Sequence, residues 1–91
     1  MDTTTVDPED AYNTAIARRL SAEKHDQALT FDALAAKSGV NARTLKRLLH
    51  DERPFKMGQF IAIAAALGLD PAGVVAAVEA GTVNNSAQLT P

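Results

Sequence analysis

Ninety-one residues with 46% hydrophobic content, only 4% aromatics and a net charge of −2 describe one small domain with room for a single core. The absence of cysteine excludes a disulfide framework and a thiolate metal site. No apolar run approaches the roughly 18 residues of a membrane span, and the opening MDTTTVDPED lacks the basic and apolar regions of a signal peptide, so the cytoplasm is the expected location.

The summed charge hides its distribution. Residues 1–10 carry four acids and no base, whereas residues 11–60 hold all nine Lys and Arg against five acids, a local balance of +4. Residues 61–91 add only Asp70 and Glu79. A basic middle between acidic ends fits one positive face on an otherwise neutral domain.

Residues 1–6 are polar and Thr-rich and read as a flexible tail, with the domain proper over 7–81. Asp7-Pro8-Glu9-Asp10 is a helix start, with Asp as cap, Pro at the first helical position and acids facing the positive end of the helix dipole. Tyr12, Ala15, Ile16 and Leu20 then form one apolar stripe, so the first helix runs from about Pro8 to about Lys24, and His25-Asp26-Gln27 is the connection. Thr30 caps a second helix from Phe31 to Lys37, in which Phe31, Leu34 and Ala35 share a face, and Ser38-Gly39 ends it.

The third helix, VNARTLKRLLH over Val40–His50, is capped by Asn41. At about 100° per residue, Leu45, Leu48 and Leu49 fall in one narrow arc. Arg43, Arg47 and His50 gather opposite them, with Lys46 at the edge. Such a helix presses its leucines into a core and holds its cations out toward a polyanion. Asp51-Glu52-Arg53-Pro54 is a break, because Pro54 cannot continue a helix and restricts Arg53 before it. From about Lys56 the chain is helical again, with Met57, Phe60, Ile61, Ala64 and Leu67 as its apolar stripe and Gly68 as C-cap. Asp70-Pro71 repeats the earlier start, a short fifth helix carries Val74, Val75 and Val78, and Gly81 ends it. Residues 82–91 read as a second flexible tail. The expected architecture is all-α, a compact five-helix domain without strands.

With these residues placed, Leu29-Thr30, Leu34-Ala35, Gly39-Val40, Thr44-Leu45, Arg47-Leu48, Arg53-Pro54 and Ala66-Leu67-Gly68-Leu69 form a pattern. Over residues 29–75 it resembles the helix-turn-helix domain of the phage lambda repressor and Cro type, the XRE family. The wording RTLKRLL…ERPF is also similar to short regulators of phages. Two departures stand out. Many members place Gln after the helix-capping Thr, where this chain has Phe31, and the link from Leu20 to Leu29 is longer than usual.

In that family the exposed front of the third helix enters the major groove and its N-terminal residues read base edges. Carried over by position, the resemblance implies base contacts by Asn41, Ala42, Arg43 and Arg47, and backbone contacts by Thr30, Lys46, Arg53 and Lys56. Arg43 is the sharpest candidate, since a guanidinium makes two parallel bonds to guanine O6 and N7 worth about 1–3 kcal/mol of discrimination. Ala42 offers only a methyl contact to thymine. The plain alternatives are a solvated basic face for the arginines and lysines and simple caps for Asn41 and Thr30. Val75 and Val78 are the expected surface of a homodimer through the fifth helix, the alternative being that all three valines are core.

His50, Asp51 and Glu52 are consecutive, point in different directions and have no paired nucleophile, so they do not suggest catalysis. The expectation is a non-enzymatic binder of double-stranded DNA with no cofactor, metal, small-molecule ligand or membrane partner. It would act as a transcriptional regulator, a repressor or Cro-like control protein. The alternative, from a different class, is a protein-interaction module such as an antitoxin or adaptor built on the same fold.

Overall fold

Local devices set where the helices begin. The computed structural model describes residues 8–88, and among them the chain forms α1 (Pro8–Asp26), α2 (Phe31–Ser38), α3 (Ala42–Leu49), α4 (Met57–Ala66) and α5 (Pro71–Gln88), with no strand. Thr30 and Asn41 sit in extended backbone at the starts of α2 and α3. The Thr30 hydroxyl accepts from the Ala33 amide at 3.0 Å, and the Asn41 carboxamide oxygen accepts from the Thr44 amide at 2.8 Å. Each bond satisfies a donor that the helix itself cannot pair. At α4 the Gln59 side chain reaches back to accept from the Lys56 amide at 3.1 Å. At α5 the Asp70 carboxylate accepts from the Gly73 amide at 3.2 Å.

Helix ends need a left-handed residue to turn the chain. Gly39 (φ 79°) and Gly68 (φ 77°) supply it after α2 and α4, as their sequence positions imply; Ala28 (φ 56°) and Asp51 (φ 61°) supply it after α1 and α3. Three expected boundaries are corrected, the third helix spanning Ala42–Leu49 with Asn41 and His50 as its caps, not Val40–His50. The first helix continues past Lys24 to Asp26, and the fifth does not stop at Gly81 but runs to Gln88. A glycine inside a helix costs about 1 kcal/mol without breaking it, and no proline follows before Pro91. The tail expected from residue 82 is therefore helical as far as Gln88. The cap expected at Asp7, the tail over 1–6 and residues 89–91 lie outside the described residues.

One core joins all five helices: Leu20 from α1, Leu34 from α2, Leu45, Leu48 and Leu49 from α3, Phe60, Ile63 and Ala64 from α4, Leu67 just after it, and Val74 and Val78 from α5. The three leucines of α3 enter it as their arc requires. Tyr12, Ala15 and Ile16 pack on it only partly covered, while Ala17 is buried. The expected stripe of α4 is wrong at two positions. Ile63 is fully buried, whereas Met57 is 73% and Ile61 45% exposed. Residues 57–66 are apolar or small on nearly every side, so the helical period cannot choose a face. Packing against α2 and α5 chooses Phe60, Ile63 and Ala64 instead. Val78 is likewise core, so of the two valines expected at a dimer surface only Val75, 37% exposed, reaches solvent.

Among the described residues no single helix is long and apolar enough to cross a membrane; α4 and α5 are both apolar but meet at 102°. A side chain from the α1–α2 link secures that corner. Gln27 donates its amide both to Glu23 Oε2 at 2.8 Å and to the Leu67 carbonyl at 2.7 Å, satisfying an end group of α4. The Gln27 amide, and after it the Arg19 guanidinium 3.1 Å away, hold the Glu23 carboxyl below its ordinary pKa.

Candidate nucleic-acid interface

With Leu45, Leu48 and Leu49 inside, the front of α3 is fixed by geometry. Arg43, Lys46, Arg47 and His50 are spaced by three or four residues in the pairs 43/46, 43/47, 46/50 and 47/50, and all are exposed. Among the described residues Arg19–Glu23 is the ion pair made by a Lys or Arg, and His50 Nδ1 stands 4.0 Å from Glu52 Oε2, so Arg43, Lys46 and Arg47 keep their charge uncompensated there. The same holds for Arg53 and Lys56, both exposed in and after the turn that follows α3. Asn41, also exposed, uses its side-chain oxygen as the α3 cap, and Ala42 is half-buried at the first turn. Thr30 stands exposed at the start of α2 with its hydroxyl engaged in the cap. Seven of the eight residues expected at DNA thus present exposed groups, and Ala42 offers a partly covered methyl. Val75 and Val78, expected together at a dimer surface, part company.

What braces α3 differs from expectation. Phe31, in the place where the resembled family has Gln, is half-buried and contacts the His50 ring edge-on, centroids 5.9 Å apart. The Lys24 ammonium lies 4.1 Å over the other ring, that of Phe31, as a cation–π contact. The second helix therefore supports the C-terminal end of α3 through an aromatic contact. His50 is the last residue of the basic face and the C-cap of α3, its Nδ1 4.0 Å from Glu52 Oε2.

A second tie escaped the sequence reading altogether. Asp51 accepts from Asn13 Nδ2 at 3.0 Å and from Thr14 Oγ1 at 2.7 Å, and the Asn13 oxygen accepts from the Phe55 amide at 2.9 Å. The one available signal was a pair of polar residues, Asn13 and Thr14, beside Tyr12 and Ile16 on α1.

The surface of α4 and α5 is chemically different. Beyond Lys56 the chain has no Lys or Arg, and α4, Asp70 and residues 71–80 of α5 expose only Asp70 and Glu79 as charges. Between α4 and α5 runs a shallow groove lined by Met57, Ile61, Pro71, Ala72 and Val75 over Phe60, with the Asp70 carboxylate at one side. No group of His, Asp and Glu among the described residues is arranged to hold a metal ion. Compared with known protein families, with curated proteins and with solved structures, the chain finds no match.

Proposed function

We propose that the chain is a sequence-specific regulator that binds double-stranded DNA in the manner of the lambda repressor and Cro type, with α2 and α3 as its helix-turn-helix. In this reading α3 lies in the major groove, Arg43 and Arg47 address base edges with Asn41 and Ala42 beside them, and Lys46, Arg53, Lys56 and Thr30 face phosphates. The protein works as a repressor or Cro-like control protein in the cytoplasm of a bacterial or phage-infected cell. One observation carries the reading: α3 is eight residues long, buries its three leucines completely or nearly so, and turns uncompensated cations outward from its other face. Basic side chains without carboxylate partners are what a phosphate backbone requires.

Self-association in this reading uses Val75 together with Ile61 and Met57, the exposed apolar residues of the α4–α5 groove. The same groove favours a second reading, a module that seats a partner protein there and uses its cations elsewhere. Selection of bound duplexes from a random-sequence pool separates the two. Enrichment of a defined site, relaxed at one position by Arg43→Ala and bound uniformly more weakly by Lys56→Ala, supports the regulator. Failure to retain any duplex at low salt leaves the interaction module.

A further inference from the structure

The chain reverses direction at four left-handed residues, and two of them are not glycine. Ala28 (φ 56°) and Asp51 (φ 61°) both carry a Cβ that this region of backbone disfavours. Ala28 gets nothing back from its side chain. Asp51 does: its two carboxylate oxygens accept from Asn13 Nδ2 at 3.0 Å and Thr14 Oγ1 at 2.7 Å, both on α1. Its amide donates to the Leu48 carbonyl at 3.1 Å and the next amide, of Glu52, to the Arg47 carbonyl at 2.8 Å, which closes the end of α3.

The Asn13 carboxamide meanwhile accepts from the Phe55 amide at 2.9 Å. One side chain therefore grips both ends of the segment 51–55. Between the two anchored ends stand Glu52, Arg53 and Pro54, all exposed, and Pro54 fixes a further torsion. A turn held at both ends by a neighbouring helix has few settings left. The backbone that carries the central cation is then ordered before a ligand arrives, which removes part of the cost of binding.

We propose that Asn13 and Thr14 act through Asp51 as positioning residues, holding the turn 51–55 so that the backbone at Arg53 is already placed for contact with a DNA phosphate. The proposal rests on the DNA-binding reading above. Neither α1 residue touches DNA in it.

The test measures binding of a mixed-sequence duplex by fluorescence anisotropy across a salt series, with four full-length variants. Asp51→Gly keeps a residue suited to the left-handed turn but removes the grip. It is expected to keep its helix content, bind every duplex roughly tenfold more weakly, and lose about 1 from the log–log salt slope. Thr14→Val shifts the same way, and Thr14→Ser, which restores the hydroxyl, returns the slope to the wild-type value. Ala28→Gly relieves the same kind of strain where no side-chain bond exists; it raises Tm and leaves the slope alone. A purely structural tie predicts that Asp51→Gly changes Tm and nothing else, and that result overturns the proposal. Amide exchange of Phe55 in DNA-free protein checks the grip separately. It is expected to quicken in Asp51→Gly, and unchanged exchange equally overturns the proposal. A wild-type chain that binds no duplex at low salt refutes the DNA reading, and the role of Arg53 with it, while Phe55 exchange still reports whether the grip exists.

Discussion

Ile61 and Ile63 are the same residue, two positions apart on α4, and they make opposite predictions. Ile63 is fully buried among leucines, whereas Ile61 is 45% exposed. Truncating a buried Ile to Ala removes its transfer free energy and leaves a cavity, together about 2–5 kcal/mol. A chain of this length has total stability of about 5–14 kcal/mol, so Ile63→Ala removes a substantial share of it. At about 4–8 °C per kcal/mol for a domain this small, Tm falls by roughly 8–40 °C. Full burial of an Ile side chain is worth about 1.5–3 kcal/mol, so the half-wet Ile61 stands to lose about 1 kcal/mol. The better helix propensity of Ala offsets a few tenths of that, about 0.4 kcal/mol. Urea unfolding followed by circular dichroism measures both variants, at several protein concentrations because Ile61 borders the exposed groove. Equal losses, or a larger loss at Ile61, would refute the placement of the α4 face.

Salt provides a second prediction. If Lys46, Arg53 and Lys56 each neutralise one phosphate, the log–log salt slope is about −2.7 for a monomer and about −5.4 for a dimer. From about 50 to about 200 mM salt, affinity then falls about 40-fold or about 2,000-fold respectively. A slope near zero would remove the phosphate contacts. Asn41→Ala is expected to cost about 1 kcal/mol by removing the α3 cap. Asn41→Asp keeps the cap and near-native stability yet weakens DNA binding, because its charge faces the groove; unaltered binding would confine Asn41 to capping. Glu23 sets an acid limb. Its folded pKa lies below the unfolded value because Gln27 and then Arg19 bond the carboxylate. The stabilisation is present above the unfolded pKa and is lost as pH falls through the folded one. Thermal melts of Glu23→Gln should therefore fall less steeply toward acid than those of the wild type.

How far the sequence could be read depended on the range of the interaction concerned. Thr30, Asn41 and Asp70 act on amides three residues away, and Gly39 and Gly68 answer a purely local backbone need, so each was visible from its neighbours. The α3 leucines were visible because charged residues separate them. On α4 no charge marks the outer side, and the period alone admitted Met57 and Ile61 where packing placed Ile63. The Asn13–Asp51 bond spans 38 residues, and the Gln27–Leu67 bond 40. Neither leaves a local pattern, and a left-handed Asp51 can be recognised only once its partners are known. Gly81 misled because a glycine that ends one helix is tolerated inside another.

Charge is unevenly distributed over the described surface although the net charge is small. Five cations, Arg43, Lys46, Arg47, Arg53 and Lys56, lie exposed on α3 and just after it, beside Asp51 and Glu52, while α4 exposes no charge and residues 70–80 expose only Asp70 and Glu79. A uniform excess of two negative charges would simply repel a polyanion. If a polyanion is the partner, an uneven charge distribution instead lets the basic residues of α3 meet it first. Such steering raises association rates by about 10- to 1,000-fold and fades as salt shortens its reach. Under the proposed reading, the basic residues from Arg43 to Lys56 therefore count for more than the summed charge of −2 suggests.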